Sequence, residues 1–131
     1  MMAIMLAAIV PLAAGCAPPA EQLAAGFQNE DPARRIDAAV RAEQAGNKAA
    51  LPFLVDRLTD SEDDVRFFAG LALVRIAGAD MGWRSYDPAD KRAEAVQRWR
   101  QWLRERASAG GDKAASRPAQ DARQLQEATE Q

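Results

Sequence analysis

The chain contains no histidine and only one cysteine, and these two scarcities exclude several kinds of site. Without histidine it has neither a Ser-His-Asp triad nor an imidazole ligand for a metal ion. The single cysteine, Cys16, cannot form an internal disulfide or a site built from several thiolates. Basic and acidic residues nearly balance, at 17 and 19 of 131, so no electropositive field favours a nucleic-acid partner.

Aromatic residues are also scarce, at 6% of the chain, although 48% of it is hydrophobic. Much of the apolar content is alanine, which favours closely packed helices over a β-sandwich. The length is that of one small domain. The composition therefore predicts a small all-α protein.

The N-terminal segment lacks charge and is almost wholly apolar from residue 3 to residue 14. A bilayer span needs roughly 20 such residues, whereas the apolar region of a signal peptide has about 7–15. The segment ends in the letters LAAGC at residues 12–16, which resemble the lipobox of bacterial lipoproteins. The resemblance implies that residues 1–15 are a lipoprotein signal peptide. It also implies that Cys16 carries a diacylglyceryl group and is the mature N-terminus.

Such an anchor would hold the protein at a membrane, because each buried methylene contributes roughly 0.8 kcal/mol and two or three acyl chains anchor stably. Ala17 follows the cysteine, where an aspartate usually retains a lipoprotein in the inner membrane. The resemblance therefore implies the outer membrane, with the domain facing the periplasm. The residues alone leave two other interpretations open: a plain secretory peptide, or a cysteine buried in an N-terminal helix.

The mature chain divides into three parts by composition. Pro18 and Pro19 predict a short tether over residues 16–22. Residues 107–131 contain a single large apolar residue, Leu125, and predict a disordered tail. The folded domain is expected over residues 23–106.

This domain contains an internal repeat of helix, acidic turn and helix. A shift of 31 residues places Arg35 on Arg66, and it places the acidic turn at residues 29–31 on the acidic turn at residues 60–62. A weaker third copy follows at an offset of 56, where Asp31 recurs as Asp87. Repeats of this length indicate stacked helical units.

The second copy carries a recognisable pattern: Leu54, Leu58 and Asp60, then Val65, Arg66 and Ala69, then Ala72, Leu73, Ile76 and Gly78. This pattern resembles the HEAT-like repeat of the phycobilisome-lyase type. The resemblance implies a short α-solenoid of two to three HEAT-like helical hairpins. In such repeats the arginine braces the stack by bonding the neighbouring acidic turn. Arg35 and Arg66 match that position and are interpreted as structural.

Apolar residues at helical spacing predict one shared core. The residues expected to be buried together are Leu51, Leu54, Val55, Leu58, Val65, Phe68, Ala69, Ala72, Leu73, Ile76, Val96, Trp99 and Leu103.

The sequence matches neither of two common ligand-binding loop patterns. The acidic run at residues 60–64 does not match a calcium loop, because Val65 stands where the loop needs glycine and Leu71 where it needs glutamate. No glycine-rich phosphate loop occurs. We therefore expect no enzyme activity, no cofactor, no metal and no small-molecule substrate.

The best candidate for a contact surface combines aromatic and basic residues, the types enriched at binding hot spots. They are Trp83, Arg84, Tyr86, Trp99, Arg100 and Trp102. Trp99 shares an apolar stripe with Val96 and Leu103, so it is expected in the core. Arg84, Tyr86 and Trp102 remain as predicted partner-binding residues.

The function predicted from these features is that of a membrane-anchored, non-catalytic protein-binding adaptor of the bacterial envelope. Two alternatives stay open. One is a structural envelope lipoprotein whose anchor and tail matter more than its repeat surface. The other is an accessory subunit of a lyase-type enzyme complex.

Overall fold

The computed structural model describes residues 19–127, and the side chains of residues 19–110. Within residues 19–127 the protein is all-helical, with five α-helices, one 3-10 turn and no strand. The predicted all-α class is confirmed. The α-helices are α1 (Ala20–Phe27), α2 (Pro32–Ala45), α3 (Leu51–Arg57), α4 (Asp63–Ala77) and α5 (Ala89–Glu127), and the 3-10 turn is Lys48–Ala50.

The helix ends follow from local signals in the sequence. Asp31 caps α2, since its side chain accepts a hydrogen bond of 2.9 Å from the N–H of Ala33, and Pro32 occupies the first helical position. Gly46 ends the same helix with a φ of 58°. Gly78 ends α4 with a φ of 66°. Glycine adopts this left-handed conformation without the steric cost that a Cβ would bring.

Helices α2, α4 and α5 run in the same direction, and α1 begins on the side where α2 and α4 end. The first turn of α1 lies beside the last turn of α2, because Gln22 and Ala45 line the same surface groove of about 520 Å³. Arg75 near the end of α4 pairs with Glu43 near the end of α2. The C-terminal ends of α2 and α4 therefore lie on the side where α1 begins.

A strap, residues 79–88, leads from α4 back to the start of α5. The indole of Trp83 in this strap lies over Gly70 in α4, so closely that a Cβ on Gly70 would stand 2.5 Å from Cζ3 of Trp83. Further along, Nε of Arg98 in α5 donates a hydrogen bond of 2.8 Å to the carbonyl of Met81. Since Met81 follows the end of α4, helix α5 runs in the same direction as α4.

The core lies among all five helices and the strap. Trp99 is fully buried at its centre, and Phe27 of α1 stacks on Phe53 of α3 with ring centroids 5.7 Å apart. All the residues predicted to be buried are buried except Phe68 and Leu103, which pack half-buried against the core. The core also contains residues outside that prediction: Phe27, Ala39, Ala42, Ala50, Trp83 and Ala95.

Helices extend beyond both ends of the predicted domain of residues 23–106. Helix α1 begins at Ala20, inside the predicted tether, because the carbonyl of Pro19 accepts the N–H groups of Gln22 and Leu23 and so opens a helical turn. Helix α5 continues to Glu127, where the composition predicted a disordered tail from residue 107. Alanine, arginine, glutamine and glutamate are strong helix formers, and extending a packed helix avoids the cost of nucleation.

Candidate functional site

The described residues hold neither a metal site nor a membrane-spanning helix. No group of three or more potential ligating side chains comes together among them. None of the described helices is both long and apolar enough to cross a bilayer. The candidate sites are therefore the arginine-rich turns and the aromatic residues of the strap and of α5.

The first arginine turn consists of residues 28–31, which join α1 to α2, together with Arg35. Nη1 of Arg35 donates to the carbonyls of Asn29 and Glu30, at 2.7 and 3.0 Å. Nη2 donates to Oδ1 of Asp60 at 2.9 Å. Nε lies 2.9 Å from Oδ2 of Asp60, close enough for an ion pair although not aligned for a hydrogen bond. Arg35 thus connects its own turn to the next one along the chain.

Asp60 is the buried counter-ion of this cluster, with its side chain 2% exposed. Its Oδ1 also accepts the N–H of Glu62 at 3.1 Å, and its Oδ2 accepts Nη1 of Arg57 at 3.1 Å. Burial opposes ionisation of this carboxyl group. The hydrogen bonds from Arg35 and Glu62 and the charges of Arg35 and Arg57 outweigh that opposition, so the pKa of Asp60 is lower than usual. The protein itself engages both carboxylate oxygens.

The second arginine turn consists of residues 59–62, which join α3 to α4, together with Arg66. Nη1 of Arg66 donates to the carbonyls of Asp60 and Ser61, at 2.6 and 3.1 Å, in the same register as Arg35 in the first turn. Nη2 pairs with Asp63, whose side chain is 88% exposed. Nε is buried and has no hydrogen-bond partner among the described residues. The two arginines therefore bond the carbonyls of their own turns in the same way, and they differ in their acidic partners.

A third arginine occupies a related position at the start of α5. Nη1 of Arg92 lies 3.4 Å from the carbonyl of Ser85 and 3.3 Å from that of Asp87. Arg92 falls one residue beyond the offset of 56, where the sequence has Lys91, so the repeat alone did not single it out. A cleft of about 190 Å³ separates the α3–α4 turn from α5, and its lining is Leu58, Thr59, Asp60, Arg66, Ala89, Arg92, Ala93 and Val96.

Among the predicted contact residues, Arg84 is held by an acidic neighbour. Its Nη2 and Nη1 lie 2.8 and 3.1 Å from the two oxygens of Asp80, and the N–H of Gly82 donates to Oδ1 of Asp80 at 2.8 Å. The hydrogen bonds from Arg84 and Gly82 lower the pKa of Asp80. The same bond to Asp80 raises the pKa of Arg84. Arg84 is thus a fixed cation on the strap.

Tyr86 is the most exposed large apolar side chain described, at 81%. It lies between Ser85 and Asp87, whose carbonyls face Arg92. Phe67 on α4 is 49% exposed and was absent from the predicted contacts. It belongs to a run of apolar residues with no polar side, and such a run gives no sequence signal for which side chain faces water.

The predicted aromatic surface is not one continuous patch. Trp83 belongs to the strap but its side chain is buried, and Trp99 is buried in the core. Trp102 packs edge-on against Trp99, with centroids 5.4 Å apart, and the guanidinium of Arg106 lies 4.7 Å from its centroid. Trp102 is ten residues past Arg92, or about 15 Å along the helix. It therefore lies well away from Tyr86, which borders Arg92.

No protein-family model, curated protein or solved structure matches the chain. Cys16 lies outside the described residues, with the rest of the proposed lipobox. The lipid anchor therefore remains a prediction from the sequence.

Proposed function

We propose that this protein is a non-catalytic adaptor, anchored through Cys16 to a bacterial envelope membrane, whose helical domain binds another protein. The observation that carries the binding role is Tyr86, an aromatic side chain that is 81% exposed on the strap. It stands two residues from the fixed cation Arg84. Tyrosine and arginine are enriched among the residues that dominate binding energies at protein interfaces.

The helical domain is proposed to be a short α-solenoid with HEAT-like hairpins. Two features support this. Helix α3 contacts α1, and α2 contacts α4, so the hairpins α1–α2 and α3–α4 stack in two layers. Arg35 and Arg66 make the same pair of bonds to their own turns, 31 residues apart. Stacked hairpins of this kind offer extended surfaces for binding proteins.

The anchor and the domain are close together along the chain. Cys16 precedes the first residue of α1 by four positions, and an extended chain spans about 3.5 Å per residue, so the gap is at most about 14 Å. A lipid on Cys16 would hold the start of α1 beside the bilayer. Tyr86 lies near the start of α5, at the opposite end of the helices, about one helix length from that anchor point.

Crosslinking in membranes of the native type of host tests the binding role. We compare the wild type with the double variant Arg84→Ala and Tyr86→Ala, and with a matched control, Gln44→Ala, at an exposed position of α2. The adaptor proposal predicts one specific crosslinked partner, recovered equally with the wild type and the control. The double variant should recover it at least tenfold less.

Trp102 tests whether the second predicted region belongs to the same interface. Trp102→Ala should lower recovery less than the strap variant, because Trp102 is partly covered by Trp99 and Arg106. Its free energy of unfolding is measured alongside, since it also packs on the core. Recovery unchanged in every variant would contradict an adaptor that binds through these residues.

A further inference from the structure

The cleft between the α3–α4 turn and the start of α5 has one acidic lining residue, Asp60, which Arg35 and Arg57 already engage. We propose that this cleft binds a carboxylate, supplied by an aspartate or glutamate side chain of a protein partner. The source of the carboxylate rests on the adaptor function proposed above. The ability of the cleft to bind a carboxylate does not.

The first arginine turn shows which group is missing from the second. There, the outer edge of the Arg35 guanidinium faces the carboxylate of Asp60, which belongs to the following turn. Arg66 stands 31 residues later and bonds its own turn in the same way. In the third copy of the repeat, the residue corresponding to Asp60 is Ser85, which has no carboxylate. Within residues 19–110, Arg66 therefore has no buried equivalent of Asp60, and its acidic partner is the exposed Asp63.

The unmet donor is at Nε of Arg66. This N–H is buried and has no hydrogen-bond partner among the described residues, and its side chain is 13% exposed. A buried donor left unsatisfied costs about 1–3 kcal/mol, and more when it belongs to a charged group. Arg66 also lines the cleft, so a small movement of its side chain would bring this donor to a carboxylate bound there, which would accept a charge-assisted bond.

Arg92 supplies a second guanidinium on the opposite side of the same cleft. Its contacts with the carbonyls of the strap are long, at 3.3 and 3.4 Å, so it can turn towards a stronger acceptor. The acidic lining residue, Asp60, is already neutralised by Arg35 and Arg57. The other charged lining residues are Arg92 and Arg66, and the acidic partner of Arg66 is the exposed Asp63. Two guanidinium groups beside the cleft favour an anion there.

The size of the cleft fits a side-chain carboxylate. Its volume of about 190 Å³ admits the carboxylate with several water molecules, each of which occupies roughly 30 Å³ in the liquid. Tyr86 lies between the two residues whose carbonyls face Arg92, and its side chain is exposed. A partner segment with an acidic residue near an apolar one would satisfy both the cleft and Tyr86.

The test uses the Nε–Hε cross-peak of Arg66 in a ¹⁵N–¹H correlation spectrum of the full chain in non-ionic detergent. Sodium acetate is the probe, and neutral acetamide is the matched control at constant ionic strength. The proposal predicts a saturable downfield shift with acetate and none with acetamide. Arg92→Gln should weaken acetate binding about tenfold or more, the equivalent of one charge-assisted hydrogen bond. Arg104→Gln, at an exposed position of α5, should leave it unchanged.

A second variant keeps the test decisive if Arg92→Gln disturbs the fold. Ala89 lines the cleft at the first position of α5, where an acidic residue suits the helix dipole. Ala89→Asp supplies a tethered carboxylate. It should shift the Arg66 Nε–Hε peak in the absence of acetate and abolish the response to added acetate.

Several results would overturn the proposal: no saturable shift, an equal shift with acetamide, or a response to sodium phosphate without a response to acetate. The two proposals also fail separately. Loss of acetate binding in the wild type with normal crosslinking would refute the cleft and leave the adaptor. Acetate binding without any specific crosslinked partner would refute the adaptor and leave the cleft.

Discussion

The first and second arginine turns start from the same sequence pattern and end in different chemical environments. Arg35 and Arg66 each bond two carbonyls of their own turn, because both follow the same helix–turn–helix backbone. Beyond that, Arg35 meets the buried Asp60, whereas Arg66 meets an exposed Asp63 and keeps an unpaired Nε. The repeat thus determines how each arginine bonds its own turn. The residues around that turn determine which acidic partner the arginine meets.

The largest effect should come from Asp60→Asn. This change removes the counter-ion of the first turn and leaves the guanidinium of Arg35 buried without a full charge partner. Breaking a buried pair in this way costs about 3–5 kcal/mol. Urea unfolding should show a loss of that size. A loss below about 1 kcal/mol would show that Asp60 does not hold the two turns together.

Arg35→Gln should lower the free energy of unfolding more than Arg66→Gln does. Arg35→Gln removes the bonds to its turn and also unbalances the buried Asp60, so about 3 kcal/mol should be lost. Arg66→Gln removes the turn bonds and a pair with an exposed partner, so about 1.5 kcal/mol should be lost. Equal losses in urea unfolding, or a larger loss for Arg66→Gln, would contradict the difference drawn between the turns.

Gly70→Ala tests whether Trp83 holds the strap against α4. The new Cβ would stand 2.5 Å from Cζ3 of Trp83, and overpacking of this kind costs about 1–3 kcal/mol. Gly110→Ala is the matched control, since no atom lies within 4 Å of its Cβ position and alanine favours a helix by about 1 kcal/mol. Hydrogen exchange should quicken in α5 for Gly70→Ala alone. Similar exchange in both variants would show that Trp83 does not pack there.

The smallest effect should be the acid sensitivity of the first turn. The pKa of Asp60 is lowered in the folded protein, so its contribution to stability is present above the unfolded value of about 3.9. That contribution is lost as the pH falls through the folded pKa. The wild type should therefore lose stability more steeply below about pH 4 than Asp60→Asn does. Parallel pH profiles of unfolding in the two proteins would contradict this.

The sequence predicts much of the fold because the relevant signals are local. Asp31, Pro32 and Gly46 define the ends of α2, and apolar spacing identifies 11 of the 17 buried hydrophobic residues in the described part of the chain. Trp83 was misplaced at the surface because its burial depends on Gly70, a contact between α4 and an irregular strap. The extent of α5 was missed because the segment beyond residue 106 has no apolar stripe and contains Gly110, Gly111 and Pro118, which disfavour a helix, although most of its other residues are good helix formers.

The candidate site was less predictable. Tyr86 was identified correctly as an exposed aromatic, but its separation from Trp102 depends on the direction of α5. The cleft needs three elements that are distant in sequence: the α3–α4 turn, the strap and the start of α5. The absence of a carboxylate at Ser85 can be read from the repeat, but the unpaired Nε of Arg66 becomes apparent only in three dimensions.

The proposed function requires that Cys16 carries a lipid anchor. Measuring the intact mass of the protein tests this requirement. The protein is expressed in its native type of host and extracted from membranes. We predict the mass of residues 16–131 plus a diacylglyceryl group, with or without a third acyl chain. A mass equal to the unmodified full chain would contradict the anchor, and with it the placement of the adaptor at an envelope membrane.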